Sequence, residues 1–161
     1  MQTRHLWYIV SALLLITVGL FGKQYLNQQA EAGFAEIQIA TPDCHLQTTP
    51  CSLRFSDGNE ITLDITPKPI SALIPLSFDI KTSNDVFSKL AIQVTGINMD
   101  MGNTQFPIPK TAAQQFIGEG ILPICTQSTM LWQIRAIFTT AQGQHFVADF
   151  PLETTNSIAK P

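Results

Sequence analysis

Two methionines, Met99 and Met101, stand two residues apart in the run Gly96-Ile97-Asn98-Met99-Asp100-Met101-Gly102. On a β-strand, side chains at i and i+2 share a face. Two thioethers so placed can hold one soft cation, and thioether and thiolate ligands select Cu(I). Cys125 and Met130 would complete such a ligand set if their loop folds alongside. Methionine also fills gaps in apolar cores and builds apolar partner surfaces, and with four methionines in 161 residues a close pair is not rare. Packing or partner contact therefore outweighs copper in this reading. Continuing the parity of Leu90, Ile92 and Val94 puts Gly96, Asn98 and Asp100 on the core side. Met99 and Met101 then face the other way, unless a bulge at Gly96 reverses the register.

Cys44 and Cys51 bracket six residues, a loop that a disulfide would close. Cys51 with Cys125 is the alternative pair, each at the start of a core-facing run, as an inter-sheet staple would be; either pairing leaves one cysteine over. Cys44 with Cys51 is slightly preferred. A metal site from Cys44, His45 and the distant Cys125 lacks ligand spacing, and a redox role lacks a basic neighbour to lower a thiol pKa. His5, His45 and His145 are scattered, and the chain contains no Walker loop, GxGxxG, HExxH, GxSxG or CxxC motif. Nothing selects a catalytic constellation, and the expectation is a protein that is not an enzyme.

The elements that must position these residues are strands. Leu53 and Phe55 alternate with Ser52 and Arg54, and Ile61, Leu63 and Ile65 alternate with polar residues across the turn Ser56-Asp57-Gly58-Asn59, which predicts a hairpin. Leu76, Phe78 and Ile80 form a third apolar face, and Leu90, Ile92 and Val94 a fourth. Phe116, Leu122 and Ile124 bracket a Gly118-x-Gly120 stretch read as a bulged or edge strand. Met130, Trp132, Ile134, Ala136 and Phe138, then Phe146, Ala148 and Phe150 after Gln142-Gly143, give the two clearest strands. Prolines fall at strand ends or in loops. About seven short strands predict an all-β fold, an immunoglobulin-like β-sandwich, preceded by one N-terminal transmembrane helix.

Leu6 to Gly22 contains 17 residues without a charge, against the roughly 20 that a membrane span needs. Trp7 and Tyr8 lie where an aromatic belt would sit, and Tyr25 and Leu26 extend the apolar run if Lys23 snorkels. A cleaved signal peptide is the competing reading, because Ala30-Glu31-Ala32 offers an A-x-A site. The apolar stretch is long for such a signal and ends well before that site, so an uncleaved anchor is preferred. Arg4 and the amino terminus outweigh Lys23, which places the N-terminus in the cytoplasm. All three cysteines follow the anchor, in keeping with an oxidising compartment. The expected organisation is a cytoplasmic N-terminus at 1–5, an anchor at 6–26, a tether at 27–36, a periplasmic sandwich at 37–153 and a flexible tail at 154–161.

From Gly33 onward, seven Lys and Arg stand against eleven Asp and Glu, a net charge of -4 without any basic run. Phosphate neutralisation has little to work with, which argues against nucleic-acid binding; the same lack removes a polybasic lipid clamp.

The P-x-P-I segment Pro67 to Ile70, the G-x-x-M-x-M-G run Gly96 to Gly102, the L-P-x-C run Leu122 to Cys125 and Met130-x-Trp132 together resemble bacterial membrane-anchored proteins of the YtkA-like and FixH-like families. The resemblance covers about 100 residues, Cys51 to Phe150. It implies a single-pass inner-membrane protein with an immunoglobulin-like sandwich in the periplasm, and a place near the assembly or copper supply of a respiratory oxidase. The chain lacks the histidine-rich motif of established periplasmic copper carriers. The expectation is an accessory protein that docks on a membrane partner, a respiratory oxidase or its assembly factors, with a Cu(I)-binding module as the alternative.

Overall fold

The computed structural model describes residues 34–124 and 126–155. The anchor expected at 6–26, the tether up to Gly33, Cys125 and residues 156–161 lie outside the described residues. Those described form ten strands: β1 (Phe34–Ile39), β2 (Cys51–Arg54), β3 (Glu60–Thr66), β4 (Pro75–Thr82), β5 (Phe87–Gly96), β6 (Asn103–Ile108), β7 (Lys110–Ala112), β8 (Gln115–Ile121), β9 (Thr129–Thr140) and β10 (His145–Thr155). There is no helix among them.

Two five-stranded sheets face each other, one in the order β1-β10-β9-β5-β6 and the other β2-β3-β4-β8-β7. Period-two patterning decides what each strand buries, since alternate side chains point to opposite faces. Ile61, Leu63 and Ile65 of β3 and Leu76, Phe78 and Ile80 of β4 meet Trp132, Ile134 and Phe138 of β9 and Phe150 of β10 in one core. Towards one end the core is aromatic: Phe87 packs 4.8 Å from Phe138, and Phe55 5.2 Å from Phe146, between ring centroids. The β2–β3 hairpin closes through Gly58, whose φ of +87° disfavours any side chain. The Asp57 carboxylate accepts from the Asn59 backbone N-H at 2.9 Å in the same turn.

Seven of the ten strands are those the alternation predicts; β1, β6 and β7 are additions. β6 carries Pro107 and runs along a sheet edge, where a missing N-H breaks no ladder. Pro151 lies inside β10, two residues past Asp149, where β1 stops pairing with it. The Gly118-x-Gly120 stretch pairs with β4 in unbroken register and is not bulged there, while β7 on the other side reaches only Gln115 and Phe116, so that side of the stretch is an edge among the described strands. Its glycines serve the approach of the two sheets. A Cβ at Gly120 would stand 2.9 Å from Phe78 and 3.1 Å from Phe106, and one at Gly118 would stand 2.8 Å from Ile108.

The boundaries also move outward. Strand structure begins at Phe34, inside the expected tether, because β1 pairs in parallel with β10 from Phe34 opposite His145. It continues through Thr155, inside the expected tail. Thr154 is buried, and its hydroxyl accepts from Trp132 Nε1 at 2.9 Å, which ties the close of β10 to the core.

Candidate functional site

Met99 and Met101 are not on a strand. β5 ends at Gly96, and both methionines lie in the turn 97–102, half-buried and packed against the core. The two alternatives left by strand parity, full exposure or a bulge, therefore give way to a third. Asn98 is the residue that fixes this turn. Its Nδ2 donates to the Thr129 carbonyl at 3.0 Å, and its Oδ1 accepts from the Leu131 N-H at 3.0 Å, bonding the turn to the start of β9. Asp100 Oδ1 accepts from the Gly102 N-H at 2.9 Å, and Gly102 holds a φ of +73°.

Met130 is brought to the same place. It is buried in β9, and its methyl sits directly over Gly96: a Cβ there would stand 2.4 Å from Met130 Cε and 2.4 Å from the Met99 carbonyl oxygen. The structure thus gathers Met99, Met101 and Met130 around one end of β5. Cys125, the fourth expected ligand, is outside the described residues. Among the described residues, no three of His, Cys, Asp and Glu come together as a metal-holding group.

The disulfide is Cys44–Cys51, with Cα atoms 5.3 Å apart. It braces the loop between β1 and β2, and within that loop Gln47 joins the two sheets. Gln47 Nε2 donates to the Ile70 carbonyl at 3.0 Å and the Glu153 carbonyl at 2.7 Å, while its Oε1 accepts from the Ile70 N-H at 2.8 Å. A cavity of about 330 Å³ opens beside this brace, lined by Pro42, Cys44, Leu46, Ile97, Leu131 and Trp132 among others.

Because Gln47 ties Ile70 to Glu153, and Glu153 lies opposite Leu131, the loops 67–74 and 97–102 stand at the same end of the sandwich. That end is apolar. Ile97 is 62% exposed and its N-H donates to the Leu131 carbonyl at 2.8 Å, so two exposed aliphatic residues adjoin the methionine turn. On the other sheet, Leu73, 53% exposed, Ile74 and Ile121 form a second exposed group, with the Leu73 N-H bonded to the Leu122 carbonyl. Leu73 has a φ of +61°, a conformation that bulky side chains rarely adopt and that tends to mark functional segments. In loops 67–74 and 97–102 the charged residues are Lys68, paired with Asp64 at 2.5 Å, and Asp100.

The charged groups with distinctive chemistry lie elsewhere. On the outer face of the β1-containing sheet, buried Asp149 accepts from Arg135 Nε at 2.7 Å and Nη2 at 2.8 Å, and from Gln133 at 2.6 Å. The Asp149 hydrogen bonds raise the Arg135 pKa above its ordinary value, against the opposing pull of burial. Glu36 in β1 accepts from Gln38, from the Ser56 hydroxyl and from the Ser56 N-H, and these bonds hold its carboxyl below the ordinary glutamate value. His45 is exposed in the disulfide loop, and His145 Nδ1 lies 3.1 Å from the Thr139 hydroxyl. Asn98, Gln47 and Leu73 are the site residues that sequence reasoning missed; each matters through a partner distant in the chain, and no local pattern announces it. Compared with known proteins, the chain matches no family model and no curated sequence.

Proposed function

We propose that this chain is a non-catalytic, membrane-anchored accessory protein whose sandwich stands in the periplasm of a bacterium and docks on another membrane protein. The observation that carries the reading is the apolar end, where Ile97 and Leu131 are exposed beside the half-buried methionine turn on one sheet and Leu73, Ile74 and Ile121 are exposed on the other. Exposed apolar groups gathered at one place mark interaction sites, and rigid strands holding such loops are a common platform for recognition. The Cys44–Cys51 bond supports an oxidising compartment. The apolar segment 6–22 supports the anchor, and the resemblance to YtkA-like and FixH-like proteins supports a role beside a respiratory oxidase or its assembly factors.

Strand connectivity supports an immunoglobulin-like sandwich. β3, β4, β8 and β7 follow the order A-B-E-D, and β10, β9 and β5 the order G-F-C, with β6 extending the second sheet. The disulfide takes a different place from the inter-sheet bridge of antibody domains.

The test is photo-crosslinking in intact cells. Full-length protein carrying a photoreactive residue in place of Ile97 or Leu73 is expected to give one adduct with an integral membrane protein, and the same substitution at exposed Lys81 none. No adduct, or identical adducts from all three positions, would overturn the docking reading.

A second reading, a Cu(I)-binding module, is favoured by one observation: Met130 Cε and the Met99 carbonyl meet over Gly96, which puts Met130 at the end of β5 where the turn carrying Met99 and Met101 begins. Anaerobic Cu(I) titration of the full chain against a competing chelator separates the two readings. Tight one-to-one binding lost in Met99→Leu/Met101→Leu supports the copper module, and weak binding unchanged by those substitutions removes it.

A further inference from the structure

Each sheet of an open sandwich has two edges, and an edge with unpaired backbone groups is a template for another strand unless something blunts it. Three of the four edges here are blunted. β2 is four residues long and carries Arg54, β7 is three residues long and starts with Lys110, and β6 contains Pro107. β1 carries Glu36 and a register shift between Phe34 and Glu36, but its residues 37–39, Ile-Gln-Ile, have no charge, proline or bulge. Its two isoleucines are among the most exposed apolar side chains of the described residues, Ile37 at 53% and Ile39 at 72%.

The backbone of β1 is oriented for pairing. The Ala40 N-H donates to the Asp149 carbonyl at 2.8 Å, so residue 40 directs its amide towards β10. In a parallel ladder the groups of alternate residues point to alternate sides. Gln38 therefore also turns its N-H and C=O to β10, and Ile37 and Ile39 turn theirs to the side where no described strand lies.

We infer that β1 is the pairing edge of a homodimer, in which β1 of a second copy adds antiparallel with Gln38 opposite Gln38. This register is self-complementary, as a two-fold interface requires. Ile37 lies across from Ile39 of the second copy, and Ile39 across from its Ile37, as hydrogen-bonded pairs. All four isoleucines stand on one face, where cross-strand aliphatic pairs stabilise a sheet. The two sheets become one of ten strands, and the exposed isoleucines gain apolar partners on the side away from Val147 and β10. The inference is independent of the docking end, which involves other loops.

The experiment is sedimentation of the full chain in detergent micelles, wild type beside Ile39→Lys, with circular dichroism to show that the variant keeps its fold; Ile39 is exposed, so folding does not depend on it. A dimer in the wild type and a monomer in the variant is the expected result. Register is read by oxidising Ile37→Cys and Ile39→Cys chains, each with Cys125→Ser. A disulfide-linked dimer is expected when the two are mixed and not from either alone, because hydrogen-bonded antiparallel partners lie roughly 5.5 Å apart at Cα, within disulfide range. A monomeric wild type, a dimer that survives Ile39→Lys, or equal cross-linking by Ile37→Cys alone would overturn it.

Discussion

Gly96 shows how much one residue carries. Its missing side chain lets Met130 and the Met99 carbonyl close over the end of β5, and one of these two obstacles is backbone. Gly96→Ala is expected to cost about 1–3 kcal/mol of stability in urea denaturation and to displace the methionine turn. Asp149 is a second such point: it is buried and accepts three hydrogen bonds from Arg135 and Gln133. Replacing one member of a buried pair strands the other, but Arg135 is one-third exposed and keeps some solvation. Asp149→Asn is therefore expected to cost about 2 kcal/mol, below the fully buried range, again read from urea midpoints. Glu36 sets a pH dependence. Its folded pKa lies below its ordinary value of 4.5, so its contribution is fully present above that pH and is lost as pH falls through the lowered value. Glu36→Gln is expected to be less stable than wild type at neutral pH, the two converging in acid, as urea midpoints taken across the pH range will show. None of these roles is legible from residue type; Gly96 reads locally only as a bulge candidate.

Among the elements, strands with one apolar face were plain in the sequence, and those without one were not. β3, β4, β5, β9 and β10 alternate cleanly because their inner residues fill the core. β1 does not, since its isoleucines point outward and Glu36 and Gln38 turn the other way. β8 was legible only in part, for a different reason. Glycine in a strand signals either a bulge or a close approach, and only the position of Phe106 and Ile108 on the opposite sheet decides for approach. The β1–β2 loop depends on its cross-link. Cys44→Ser/Cys51→Ser removes a seven-residue closure and is expected to lower stability by about 2–3 kcal/mol by chain entropy, with no further loss when the variant is treated with reductant. Leu46, Gln47 and the cavity they line should loosen with it, which hydrogen exchange of the Ile70 amide would register as lost protection.

At the scale of the whole domain, Gln47 bonds across 106 residues to Glu153 and brings the loops of both sheets to one apolar end. Phe34, where the chain enters, pairs with His145 at the start of β10, while that end adjoins the close of β10. Entry and apolar end are thus on opposite ends of the domain. Since Ile97 and Leu131 are exposed, Ile97→Ser/Leu131→Ser is expected to change stability by less than about 1 kcal/mol in urea denaturation while abolishing the crosslink from Leu73. The sequence by itself determined the all-β class, the faces that form the core and the hairpin at Gly58. All three follow from side-chain period and backbone sterics within a few residues. Tertiary structure alone decided that β1 joins β10, that the methionines sit in a turn beside Met130, that Cys44 bonds Cys51, and that Asp149 is buried. Each of those depends on which distant segments meet, and a period of two specifies a face without naming the strand that will lie beside it.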